Sequence, residues 1–144
     1  MTENYRDIVG KLIQTCKDGE EGYRQAAENI KNTEYKSFFH QQSTERGRFA
    51  GELQPFYKAD EKQSGSVAGT MHRAWLDLKG KMGAGDETIL SSVEQGEDSA
   101  KRAYEDALNS ALPAELVTII QRQYQSVKSA HDRVKTMRDS AKAA

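Results

Sequence analysis

Apolar residues recur along this chain at steps of three and four, in four long stretches parted by short breaks. In the first stretch Tyr5, Ile8, Leu12, Cys16, Glu20, Tyr23, Ala27 and Ile30 follow one another. The second row is Phe38, Gln42, Glu45, Phe49, Glu52 and Phe56, and the third is Leu90, Val93, Glu97, Ala100, Tyr104 and Leu108. The fourth is Leu116, Ile120, Tyr124, Val127, His131 and Val134. This spacing puts each row on one face of an α-helix. No segment alternates with a period of two over a useful length, so no strand is predicted.

The breaks set the boundaries. A first helix is predicted over 4–31, ended by Asn32-Thr33, with Thr33 as N-cap of a second helix from about 34 to 60. Pro55 predicts a kink or an early end there. After a Gly/Ser-rich loop at 63–66, a short helix is predicted over 67–81, with Val67, Met71, Trp75, Leu78 and Met82 as its row. Met82-Gly83-Ala84-Gly85-Asp86 is a second break, with Asp86 as N-cap of a third long helix over 87–110. Pro113 suits the first turn of a fourth, which is predicted to reach Arg138 and fray in the Ala/Lys tail.

Loop lengths then choose the topology. The first and last links are short, so each helix pair is an antiparallel hairpin. The middle segment is long enough to run the length of the bundle. The predicted fold is all-α: a ferritin-like four-helix bundle of two antiparallel hairpins, joined by a long crossover with a short extra helix, spanning residues 1–144 as one domain.

Each predicted stripe also carries an ionisable residue, which a bundle core does not bury without a partner. Carboxylates and histidines aimed inward from facing helices are how bundles build carboxylate-bridged metal sites. Glu20, Glu97 and His131 are the candidate metal ligands from the first, third and fourth helices. The second helix offers Glu45, level with Glu20 across the hairpin turn, and Glu52, about 10 Å further on at 1.5 Å per residue. Glu52 is slightly preferred, and both stay open. The Glu-x-x-His pair of a di-iron centre is incomplete, because Pro55 stands three residues after Glu52 and Lys128 three before His131. Hard carboxylate donors point to iron or manganese. The alternative is a metal-free polar core in which Arg24, Arg46, Arg48 or Lys128 neutralises these acids.

A faint repeat pairs Gly19-Glu20-Glu21 with Gly96-Glu97-Asp98. Glycine costs about 1 kcal/mol in a helix interior, so its recurrence predicts close backbone approach or room for something bound. His40 is expected at an interface, His72 at the surface or in a hydrogen bond, and Cys16 as a small buried hydrophobe.

Composition removes several classes of function. Lys and Arg number 21 against 22 acids, so nothing favours nucleic acid. No run is apolar enough for a signal core or a membrane span, and a lone cysteine excludes an internal disulfide. The cytoplasm is the expected location. Self-association is open, with no stoichiometry fixed and no protein partner indicated. No nucleophile–base pair, phosphate loop or dinucleotide fingerprint is present.

Several segments carry a family resemblance: Asp18-Gly19-Glu20-Glu21-Gly22-Tyr23, Phe49-Ala50 with Glu52-Leu53, His72-Arg73 with Trp75, and Gly96-Glu97-Asp98 with Tyr104. Together they resemble a bacterial family of ferritin-like four-helix-bundle proteins of unknown function, more distantly similar to rubrerythrins and ferritins. The resemblance implies the ferritin-like fold and a bacterial source, but no activity. Rubrerythrin-type ligands carry over only to Glu20, Glu52, Glu97 and His131. The expected function is a metal-binding bundle in stress or metal physiology. A metal-free interaction or structural module comes second, and a ferroxidase or peroxidase last.

Overall fold

The computed structural model describes residues 2–57, 75 and 85–143. Four helices account for nearly all of them: α1 (Thr2–Asn29), α2 (Thr33–Tyr57), α3 (Asp86–Leu108) and α4 (Ala114–Ala143). Among the described residues there is no strand, and no helix is long and apolar enough to cross a membrane.

The pairing follows from the contacts. α1 packs most closely on α2 and α3 on α4, while α1 also lies against α3 and α2 touches α4. Tyr23 meets Glu97 and Cys16 meets Tyr104, so α1 and α3 run antiparallel. Glu45 meets Ser126 and Glu52 meets Arg122, so α2 and α4 do as well. α2 and α3 are therefore parallel, and the chain must return the length of the bundle between Tyr57 and Asp86. Two antiparallel hairpins joined by one long connection result. The predicted crossover helix lies outside the described residues except for Trp75, which is helical and 3% exposed.

Two caps differ from the expectation. Asn32, not Thr33, caps α2: its Oδ1 accepts the Tyr35 N–H at 3.1 Å. Asp86 opens α3 but does not cap it. Its carboxylate instead accepts the backbone N–H groups of Lys31 at 2.8 Å and Asn32 at 3.0 Å, pinning the start of α3 to the α1–α2 turn. Pro113 stands just before α4, where its carbonyl accepts the Val117 N–H at 3.0 Å. α4 runs on past Arg138 to Ala143 because Met137 is buried and Ala141 packs on the core.

The core is two apolar halves. One gathers Val9, Leu12, Leu53, Ala107, Leu116 and Ile120; the other gathers Ala26, Ile30, Phe39, Ile89, Leu90 and Val134. Polar side chains that reach the axis, among them Arg46, Glu97 and Gln123, are as buried as the aliphatic ones.

Candidate functional site

Glu97 sits at the centre of α3 with no exposed surface, which its place in the row Leu90–Val93–Glu97–Ala100–Tyr104 dictates. Its charge is answered from the two helices opposite. Arg46 of α2, 1% exposed, donates from Nη2 to Glu97 Oε2 at 2.5 Å, and the Tyr23 hydroxyl of α1 donates to the same oxygen. The Arg46 guanidinium also lies 5.3 Å from the Tyr23 ring centroid, where the ring face attracts a cation. Burial alone would lower the Arg46 pKa, but Glu97 holds it above its ordinary value. Burial, with the Glu97 charge behind it, pushes the Tyr23 phenol well up, so it stays a donor. Arg46 Nε and Nη1 and Glu97 Oε1 have no hydrogen-bond partner among the described residues.

Small residues make room for this group. A Cβ on Gly19 would lie 3.1 Å from Arg46 Nη1. On Gly22 it would lie 1.9 Å from Trp75 Cε3, and on Gly96 2.2 Å from Trp75 Cε2. The glycines expected to allow close approach therefore admit a guanidinium and an indole.

A second polar chain crosses the bundle two helical turns away, about 10 Å along the axis. Cys16 Sγ is 3.1 Å from the Tyr104 hydroxyl, which donates to Gln123 Oε1 at 2.7 Å. Gln123 Nε2 donates to Glu52 Oε1 at 2.9 Å, which also accepts from Arg122 at 2.9 Å. Partial burial pushes the Glu52 carboxyl up, but the bonds from Gln123 and Arg122 outweigh it and hold it below its ordinary value.

The five sequence-predicted ligands do not gather at one interior point. Glu97 is in the core. Glu20 is exposed, because the inward row of α1 steps from Cys16 through Gly19 to Tyr23. Glu45 and Glu52, with side chains 28% and 27% exposed, lie at the α2–α4 boundary. They pair with Arg48, and with Ser126 and Arg122 of α4. The inward row of α2 is Phe39, Arg46, Phe49, Ala50, Leu53 and Tyr57, one position on from the expected one. Lys128 and His40 are exposed, and His72 lies outside the described residues. Arg46 and Tyr23 both act on Glu97 Oε2, so its charge is already answered within the core.

His131 is buried, as expected, but against a different pair of acids. Its Nε2 is 2.6 Å from Asp98 Oδ1 without the alignment of a hydrogen bond. Its Nδ1 is 3.2 Å from Asp132 Oδ1. Glu94, one turn before Asp98 on α3, completes a set whose ligand atoms all lie within 4.8 Å of one another. Its carboxylate also accepts a bond from Arg138 Nη1. The signal for this set in the sequence is Glu94 and Asp98 at i, i+4 on one flank of α3.

The class defined by this fold and these sites is an all-α four-helix bundle with an ion pair sealed in its core and a carboxylate–histidine corner on the α3–α4 seam. The chain belongs to a family described as a domain of unknown function (DUF2383), which matches residues 4–110. That match takes in Tyr23, Arg46, Trp75, Glu94, Glu97 and Asp98, and stops before α4. No curated protein matches the chain.

Proposed function

We propose that this protein binds a divalent cation at the α3–α4 corner, through Glu94, Asp98 and His131. One relationship carries the reading. If His131 Nδ1–H faces Asp132, the Nε2 lone pair faces the Asp98 carboxylate at 2.6 Å. Two lone pairs at that distance repel unless a proton or a metal ion lies between them. A ligating histidine typically gives its other ring N–H to a carboxylate, the place Asp132 takes here. His131 is 8% exposed and Asp98's side chain 45%, so the corner has a buried floor and an open mouth.

One imidazole and two carboxylates suit iron or manganese, with zinc as the competing ion. The ferritin-like arrangement and a role in metal or stress physiology belong to this proposal. When bound, the ion supplies charge neutralisation across the seam; the residues hold it, orient the imidazole and leave positions open to solvent.

Isothermal titration with Mn(II), Fe(II) under anaerobic conditions and Zn(II) tests the reading. One site per chain is expected in the native protein, lost in Asp98→Asn and His131→Gln and kept in Glu20→Ala. No heat from any of the three ions, or binding indifferent to Asp98→Asn, overturns it.

A second reading rests on the Arg46–Glu97 pair: a metal-free structural or interaction module whose interior charges fix helix register. In that reading His131 and Asp98 face one another as a direct polar contact across the seam.

A further inference from the structure

Arg138 stands two turns beyond His131 on α4, beside the same corner. Its guanidinium is divided between two acids. Nη1 donates to Glu94 Oε1, while Nη2 and Nε lie 3.0 Å and 3.3 Å from Oδ1 of its neighbour Asp139. The Glu94 side chain is only 11% exposed, and a carboxylate that dry needs a cation beside it. In this arrangement the cation is Arg138.

We propose that Arg138 is a tethered competitor for the metal position: it neutralises Glu94 while the corner is empty and is displaced onto Asp139 when a divalent ion enters. This rests on the corner being a cation site. The two positive charges cannot share the corner cheaply. Arg138 and an incoming ion would both lie against Glu94, so their charges repel at close range, and a divalent charge doubles the repulsion of a single one. Asp139 gives the displaced guanidinium a partner it already touches, so leaving Glu94 does not strand a charge. Arg138's side chain is 24% exposed and at the seam edge, which leaves it room to swing outward. The device sets a threshold: ions that bind carboxylates weakly do not repay the lost Arg138–Glu94 contact, while ions that also take the imidazole do.

Titration of Zn(II) and Mn(II) into native protein, Arg138→Gln, Arg138→Lys and Asp98→Asn tests it, with circular dichroism to show that each variant is folded. Arg138→Gln should bind at least about tenfold more tightly than the native chain. Arg138→Lys, which keeps the charge, should stay within about threefold of the native affinity. Unchanged or weaker binding in Arg138→Gln, with Asp98→Asn still abolishing it, overturns the competitor and leaves the site. Absence of binding in both the native chain and Arg138→Gln overturns both.

Discussion

Gly22 of α1 and Gly96 of α3 leave space for the same indole. A methyl group on either would fall within 1.9 Å or 2.2 Å of a Trp75 ring atom, far inside contact distance. The ring has little freedom to give way, because Tyr23 lies 5.5 Å from it, centroid to centroid, and Tyr23 is itself tied to Glu97. Trp75 thus packs against α1 and α3, the helices that carry Tyr23 and Glu97.

Gly96→Ala and Gly22→Ala pit two effects against each other. Alanine gains about 1 kcal/mol of helix propensity. Overpacking costs about 1–3 kcal/mol, and a displaced indole adds its lost burial. The steric cost should win, giving a net loss of about 1–3 kcal/mol in urea titrations. Trp75 is the only tryptophan, so its emission should shift to the red in the folded variants. Gly51→Ala, where a Cβ meets nothing within 4 Å among the described residues, should instead stabilise by about 0.5–1 kcal/mol. Unshifted emission in both crowded variants would refute the slot.

How far the sequence could be read depended on how each helix distributes its apolar residues. The α3 row is buried as expected from Leu90 to Tyr104, because its apolar positions fall on one stripe and its flanks are polar. In α1 the inward position is Gly19, which has no side chain to mark it, and the pattern passes to Glu20 beside it. In α2 the aromatic residues Phe38, Phe39, Phe49, Phe56 and Tyr57 spread around the helix, so the phase could be set one residue early. That shift put Glu45 and Glu52 on the stripe and left Arg46 at its edge as a neutralising partner. Arg46 does neutralise an inward acid, but from inside the core. The Glu94–Asp98–His131 corner was half legible: His131 stood on its row, while the acids facing it are flanking residues that only the α3–α4 register brings near.

Cys16 gives an alkaline signature. Burial pushes its thiol up to about 11 from 9.0, against the smaller opposing effect of the Tyr104 hydrogen bond. The unfolded thiol ionises first, so its contribution is complete below about pH 9 and is lost as pH rises from about 9 to about 11. The shift corresponds to about 2–3 kcal/mol. Burial also raises Tyr23 and Tyr104, so they steepen the same loss. Unfolding free energy should fall across this window, and less steeply in Cys16→Ala. At pH 8 a thiol reagent should label the native chain only as fast as it opens. An equal slope in Cys16→Ala, or immediate labelling, would contradict the assignment.

The Arg46–Glu97 pair predicts strong non-additivity. Glu97→Gln leaves a guanidinium in the interior with no counter-charge, and Arg46→Met leaves a carboxylate held by Tyr23 alone. Stranding one member of a buried pair costs about 3–5 kcal/mol, so each single variant should lose that much. Removing both charges removes the desolvation cost together with the attraction. Glu97→Leu with Arg46→Met should therefore be far less damaging than the sum of Glu97→Leu and Arg46→Met measured separately. A coupling of about 2–3 kcal/mol is expected from the cycle. Additive losses would mean that the two side chains do not depend on one another and that water, not Arg46, satisfies Glu97. A double variant as stable as the native chain but slower to settle into one fold would show that the pair contributes register rather than stability. That outcome fits its position, where side chains of α1, α2 and α3 must meet in a single alignment for Glu97 to find both Tyr23 and Arg46.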